Sequence, residues 1–244
     1  MNIRNKIKQA VDATNRAQRN YDLTKSIPQE DLDTLIYAAV KSPSKQNETH
    51  YSLHVYTDQN IIKQIYNHTK KFTLARTQED KDQSFSIEND VFIQHDYESV
   101  TNSQIYANAL FVYVKGEGSI NKYNVQHYAA KLNPNSSAAK AYEEQIAYSI
   151  GISVGELILS AGLLGYKTGI CSALDTRPVR DILGTEQNPK LLVGVGIPNS
   201  HLERTMHLEV LNKDVPKKFR TGELEEHMKF PSFDKYTKVT INGN

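Results

Sequence analysis

Three short stretches of this chain hold residue types that could do chemistry. The first is Asn15, Arg16, Ala17, Gln18, Arg19. Two arginines three apart at a helix end present rigid forks of N–H donors that can converge on one phosphate. The same spacing also occurs on solvated helix faces. The second is Pro43, Ser44, Lys45, Gln46, Asn47, a polar loop between a predicted helix and a predicted strand. Its donors can line a ligand, or it can be a plain turn. The third runs from Gly169 to Leu174, where a strand ends in small residues and backbone N–H groups can approach a flat ring. No single stretch is specific for one chemistry.

Composition narrows the classes. With 244 residues the chain is long enough to bury a sizeable core, and 29 Lys and Arg against 28 Asp and Glu leave a net charge of +1. That balance gives no global attraction to nucleic acid or to a membrane surface. The basic pairs Lys70 with Lys71 and Lys217 with Lys218 lack interleaved aromatics and read as solvated. One cysteine, Cys171, excludes an intramolecular disulfide, and the first twenty residues have no apolar signal-peptide core. A cytoplasmic protein is expected. The eight histidines are scattered without zinc-type spacing, and there is no P-loop, so no metal site is expected. Gly194 and Gly196 are followed by Ile197 and Pro198 rather than by a helix with a third glycine, which argues against a dinucleotide loop.

The elements that must hold these stretches are organised around Ala141 to Leu174. Ile146, Ile150, Val154, Leu157, Ile158 and Ala161 recur at helical spacing, with Ile152 and Leu159 on the opposite face, so the helix is buried. It reads as too short, and too broken by Ser149, Ser153 and Glu156, to span a bilayer. Gly151, Gly155 and Gly162 share one face although each costs about 1 kcal/mol relative to Ala, so a helix, a subunit or a flat ligand comes close there, or the packing is simply tight.

Upstream, Ile3, Ile7, Ala10 and Val11 predict an amphipathic helix to Gln18. Ser26, Pro28 and Gln29 predict a capping box that starts a helix ending before Pro43. Tyr51, Leu53 and Val55 alternate as a half-buried strand, and Asp58 to Lys70 reads as a helix. Residues 73–103 read as a polar surface excursion, Ala109 to Val114 as a strand covered on both faces, and Gly118 to Ser137 as loop. Lys167 to Ser172 and Leu191 to Val195 supply further strands, with a short helix from about Pro178 to Gly184. Residues 207–244 read as an extended tail. The expectation is one α+β domain over residues 1–244.

Taken together, the order of these features resembles the nitroreductase family of FMN-dependent NAD(P)H oxidoreductases. The family motif R-R-S-x-R-x-F is met by Asn15 to Tyr21, and P-S-x-x-N-x-Q-P-W by Pro43, Ser44, Asn47 and, less closely, Thr49, His50 and Tyr51. The resemblance spans Arg16 to Arg204. It implies a central mixed or antiparallel sheet flanked by helices, and an obligate homodimer with the long central helix at the interface and FMN between the subunits. It further implies that Arg16, Ala17, Arg19 and Arg204 surround the FMN phosphate and ribityl chain. Pro43, Ser44, Lys45 and Asn47 would come from the partner subunit to the isoalloxazine, and Cys171, Ser172 and Ala173 would pass beside its reactive edge. On this reading hydride moves from NADH or NADPH through the flavin to a nitroaromatic, quinone or similar acceptor by a ping-pong mechanism. No catalytic side chain is required.

Several positions depart from the family pattern. Ala17 stands where Ser is usual, Asn15 where Arg is, and Thr49, His50 and Tyr51 replace Gln, Pro and Trp. Ser172 takes a position that often bears an acid. These keep open a related flavin chemistry, such as dehalogenation or flavin destruction, and a non-catalytic flavin-binding or interaction protein on the same scaffold. Cys171 reads either as a redox-active thiol or as a small buried hydrophobe.

Overall fold

A computed structural model describes residues 2–69, 72–73, 85–88, 91–94, 99–100, 102–116 and 124–202. In chain order the elements are α1 (Ile3–Thr14), α2 (Gln29–Lys41), β1 (Tyr51–Tyr56), α3 (Gln59–Asn67), β2 (Phe72–Thr73), β3 (Phe85–Glu88), β4 (Val91–Gln94) and β5 (Ser99–Val100). There follow β6 (Ala109–Lys115), α4 (Val125–Leu132), α5 (Ser137–Leu163), β7 (Lys167–Cys171), α6 (Thr176–Leu183) and β8 (Pro189–Gly196). One compact unit comprises Met1–Phe72 and Thr101–His207, and a second comprises Thr73–Val100 with Leu208–Asn244. In the second unit β3 and β4 pair as an antiparallel hairpin.

The first unit is built on an antiparallel sheet in the order β1, β6, β8, β7. The apolar run ALFVYV becomes its second strand and divides by parity, as a pleat requires. Ala109, Phe111 and Tyr113 join Val193 and Val195 in one core with Leu35 and Ala39 of α2 and Ile146, Ile150, Val154, Leu157 and Ala161 of α5. Leu110, Val112 and Val114 join Leu192 in a second core with Ile62 and Ile65 of α3, Ile105, and Val179 and Leu183 of α6. Each fully buried side chain of this size contributes about 2 kcal/mol. The α+β architecture with an antiparallel sheet between helices is the expected one.

Helix α5 is longer than its apolar periodicity suggested. It starts at Ser137, where the Ser136 hydroxyl caps the Ala139 N–H at 3.1 Å, and its 27 residues make it long and apolar enough to cross a membrane by length and composition. Here it lies on the sheet. Ser149 and Ser153, read as interruptions, are fully buried. Ser153 Oγ donates to the Ala39 carbonyl at 2.6 Å and meets Tyr113 Oη at 3.0 Å. Ser153 thus joins α5 to α2 and β6. Past its end, Gly165 takes φ +89°, and the amides of Gly165 and Tyr166 return to Gly162 and Ala161.

Four boundaries differ from expectation for identifiable reasons. Helix α1 stops at Thr14, whose hydroxyl turns back onto the Ala10 carbonyl. The capping box does not form, because Pro28 itself is the N-cap of α2 and makes no side-chain cap bond. The stretch read as loop contains α4, started by Asn124, which accepts from the His127 N–H at 3.0 Å, and closed before Asn133 and Pro134. Finally, Asn102 and Ser103, read as the end of the polar excursion, are buried beside Ile105; most of residues 74–101 lie outside the described residues.

Candidate functional site

Beyond α1 the arginine segment runs extended along the edge of the sheet. The Gln18 N–H donates to Thr168 of β7 at 2.8 Å, the Asp22 N–H to Ile197 at 2.8 Å, and Tyr21 bridges to Pro198. Lys167 Nζ donates to the Ala13 carbonyl at 2.9 Å. These bonds hold Arg16, which is exposed, and Arg19, which is half-buried, beside the first residues of β7. Gly169 makes this approach possible. A Cβ there would lie 2.5 Å from Gln104 Cβ and 2.9 Å from the Gln18 carbonyl. Gln104 fills the corner: its carbonyl accepts from Tyr21 Oη at 3.1 Å and its Nε2 donates to Asn102 Oδ1 at 3.0 Å and to the Ile170 carbonyl at 3.3 Å. Its side-chain oxygen is buried with no hydrogen-bond partner among the described residues, an acceptor for which a ligand hydroxyl or N–H is a fitting donor.

At the far end of β7, Cys171 is 4% exposed and belongs to the second core, whereas Ser172 and Ala173 are exposed. Burial pushes the Cys171 thiol up to about 11, against a weaker opposing pull from backbone hydrogen bonding at Ala173. The thiol is therefore neutral at physiological pH, and what this position can offer a ligand is backbone. Leu174 bridges to Thr69 and the Asp175 N–H donates to His68 at 2.8 Å, which ties the turn to α3.

The loop before β1 is held from within. Lys45–Asn47 forms one turn of 3-10 helix, and Asn47 takes φ +57°, a left-handed conformation that costs a non-glycine residue about 1 kcal/mol. Pro43, Lys45 and Asn47 are exposed. Behind them Glu48 and His50 are buried. His50 Nδ1 lies 3.0 Å from Ser149 Oγ, and its Nε2 lies 3.0 Å from Glu48 Oε2, off the ring N–H axis. Asn124 Nδ2 donates to the same carboxylate oxygen at 2.8 Å, and the Lys45 N–H donates to Ser149 Oγ at 3.4 Å. Glu, His and Ser are the side chains of a hydrolytic relay, but His50 and Ser149 are fully buried, so no substrate reaches the hydroxyl.

The chain thus brings Arg16, Ala17 and Arg19 together with β7, the strand that leads to Cys171, Ser172 and Ala173. It does not bring Pro43, Ser44, Lys45 and Asn47 to them. Those precede β1, at the opposite edge of the sheet, about 14 Å away at three interstrand spacings. Arg204 lies outside the described residues, as does the tail at 207–244. Two recesses of about 320 and 200 Å³ beside α5, one lined by Ile146, Ile150 and Gly151 and the other by His127, Lys131 and Tyr142, contain none of these residues. Gln104, Glu48 and Ser149 were not singled out from the sequence as site residues. Their partners are 66 to 99 positions away, and no local pattern marks such pairs.

A family model described as the nitroreductase family matches residues 13–197. Among solved structures, a protein described as a nitroreductase in complex with FMN, from Exiguobacterium sibiricum, is 16% identical with a TM-score of 0.55, covering 83% of this chain and 92% of its own. Nitroreductase A from Vibrio parahaemolyticus is 15% identical with a TM-score of 0.53, over 93% and 85% of the two chains. A nitroreductase family protein from Clostridium novyi is 14% identical with a TM-score of 0.53, over 80% and 86%. At these identities the likeness concerns the fold. No curated protein matches the chain at a significant level.

Proposed function

The chain belongs to the nitroreductase family, and from that premise we propose that it is an FMN-dependent oxidoreductase working as a homodimer. One observation carries the reading: two stretches about 150 residues apart, the arginine segment and β7, are hydrogen-bonded side by side through Gln18 and Thr168. Their donor set suits the cofactor. Arg16 and Arg19 supply two cations for a phosphate, and Gln104 supplies a buried acceptor without a partner among the described residues. The FMN in the Exiguobacterium sibiricum protein supports the same choice.

In this proposal Arg16, Arg19 and Arg204 hold the phosphate end, and Ala17 packs beside it without the hydroxyl that Ser would add. Ser172, Ala173 and the Cys171 backbone flank the ring edge. Pro43, Ser44, Lys45 and Asn47 reach it from the partner subunit, since their own sheet edge is remote. A bound flavin would supply the redox chemistry, a ping-pong exchange of hydride between NADH or NADPH and a nitroaromatic, quinone or similar acceptor. The residues bind, orient and exclude water, while Arg16 and Arg19 add positive charge around an anionic ligand.

The test is spectroscopic. Purified protein given micromolar FMN is expected to shift the flavin absorbance, and anaerobic NADH or NADPH is expected to bleach it. No shift overturns the cofactor assignment, whereas a shift without bleaching favours a flavin-binding protein that does no turnover. Arg16→Ala is expected to lower FMN affinity by about tenfold or more, the loss of one charge-assisted hydrogen bond.

A further inference from the structure

Glu48, His50 and Ser149 form a buried cluster directly behind the loop Pro43–Asn47. His50 Nδ1 hydrogen-bonds with Ser149 Oγ at 3.0 Å, while the Glu48 carboxylate lies 3.0 Å from Nε2, off the N–H axis. Ser149 Oγ then keeps a lone pair for the Lys45 N–H at 3.4 Å. The loop is therefore gripped on both sides of Asn47. Ahead of it, Lys45 is tied to α5 through Ser149. Behind it, Glu48 is tied to α4 through Asn124 at 2.8 Å, and His50 to the residue that follows β6, Gly116, whose N–H donates to the His50 carbonyl at 3.2 Å. A left-handed Asn47 persists only where its surroundings over-determine it, and this grip is what does so. The ring also lies edge-on to Tyr142, at 5.7 Å and 64°, which fixes its orientation.

We infer that His50, acting through Ser149 and Glu48, is the positioning residue of the loop Pro43–Asn47, and that it sets the loop against α5 in the conformation that receives the ligand. The ligand part of this inference rests on the flavin reading above. The conformational part does not.

The two parts separate in one set of measurements on the full-length protein. Amide hydrogen exchange over residues 44–48 and the FMN dissociation constant are measured for wild type, Ser149→Ala, His50→Leu and His50→Asn. Ser149→Ala and His50→Leu are expected to speed loop exchange about tenfold and to weaken FMN about three- to tenfold, the worth of one buried hydrogen bond. His50→Asn keeps a polar atom near the place of Nδ1 and is expected to restore both quantities relative to His50→Leu, a rescue that loss of bulk packing would not give. Arg16→Ala is expected to weaken FMN and leave loop exchange unchanged. Wild-type loop exchange in Ser149→Ala overturns the inference, as does His50→Asn behaving no better than His50→Leu. If His50→Leu does not fold, Ser149→Ala, which removes one oxygen, decides alone. Should wild type take up no FMN, the flavin reading fails, and the exchange data still decide whether His50 positions the loop.

Discussion

The single thiol shows how burial decides between two chemistries open to the same residue. Cys171 ends a strand beside exposed Ser172 and Ala173, yet its side chain sits among Ile62, Leu174, Val179 and Leu192 in the second core. Burial holds the thiol up to about 11 from an ordinary 9.0, so at pH 8 it carries little of the thiolate that alkylating reagents need. Iodoacetamide at pH 8 is expected to modify native protein far more slowly than unfolded protein, as mass spectrometry of the Cys171 peptide would show. Cys171→Ala is expected to keep flavin reduction by NAD(P)H, and loss of that activity with the fold intact would restore a redox role. The linkage to stability has a definite sign. Below pH 9 the thiol is neutral in both states and its contribution is fully present. Between pH 9 and 11 the unfolded chain ionises first, so the contribution is lost as pH rises. The same residue-level contrast explains what could be read in advance. Arg16 and Arg19 announce themselves by type and spacing, whereas Glu48 and His50 gain their meaning only from Ser149 on a distant helix.

At the scale of elements, alternation was the reliable guide. β1 follows its period-2 pattern, β6 is covered on both faces as its continuous apolar run implies, and the stop signals at Ser42 and Gly184 end α2 and α6. Reading failed where a polar stretch hid a helix, as at α4, whose outer residues Val125, Tyr128 and Leu132 are exposed and so show no clean apolar stripe. It was incomplete for the glycines of α5. Gly162 is packed by this chain's own α1, since a Cβ there would stand 2.7 Å from the Ala10 carbonyl oxygen. At Gly151 and Gly155 an added Cβ meets nothing within 4 Å. Gly162→Ala is thus expected to push α1 off α5 and to cost about 1–3 kcal/mol of stability. Within an isolated chain, Gly151→Ala is expected to gain up to about 1 kcal/mol from helix propensity. Urea midpoints of the two variants check this, and equal shifts of the same sign would contradict it.

For the whole molecule, the arrangement of one chain argues for two. The arginine segment and the turn after β7 lie at one sheet edge, and the loop Pro43–Asn47 lies before the strand at the other, a separation that, in the proposed reading, the loop of a second copy closes. Meanwhile the outer face of α5 presents Tyr148 at 59% exposure and Ile152 at 43% beside the open Gly151 and Gly155, an apolar strip of the kind that a subunit interface covers. If the second copy sits there, assembly and cofactor binding are one event. Placing a charge in that strip, as in Gly155→Arg, is expected to yield a folded monomer that retains little FMN, because the partner's loop is no longer supplied. Arg16→Ala should do the converse, losing FMN while remaining a dimer, since in the proposed reading it removes a ligand contact and leaves the Tyr148 and Ile152 face of α5 unaltered. Sedimentation velocity and flavin absorbance measured on the same samples separate the two. A Gly155→Arg monomer that binds FMN as wild type does would show that one chain makes the whole site, and would place the loop Pro43–Asn47 outside it.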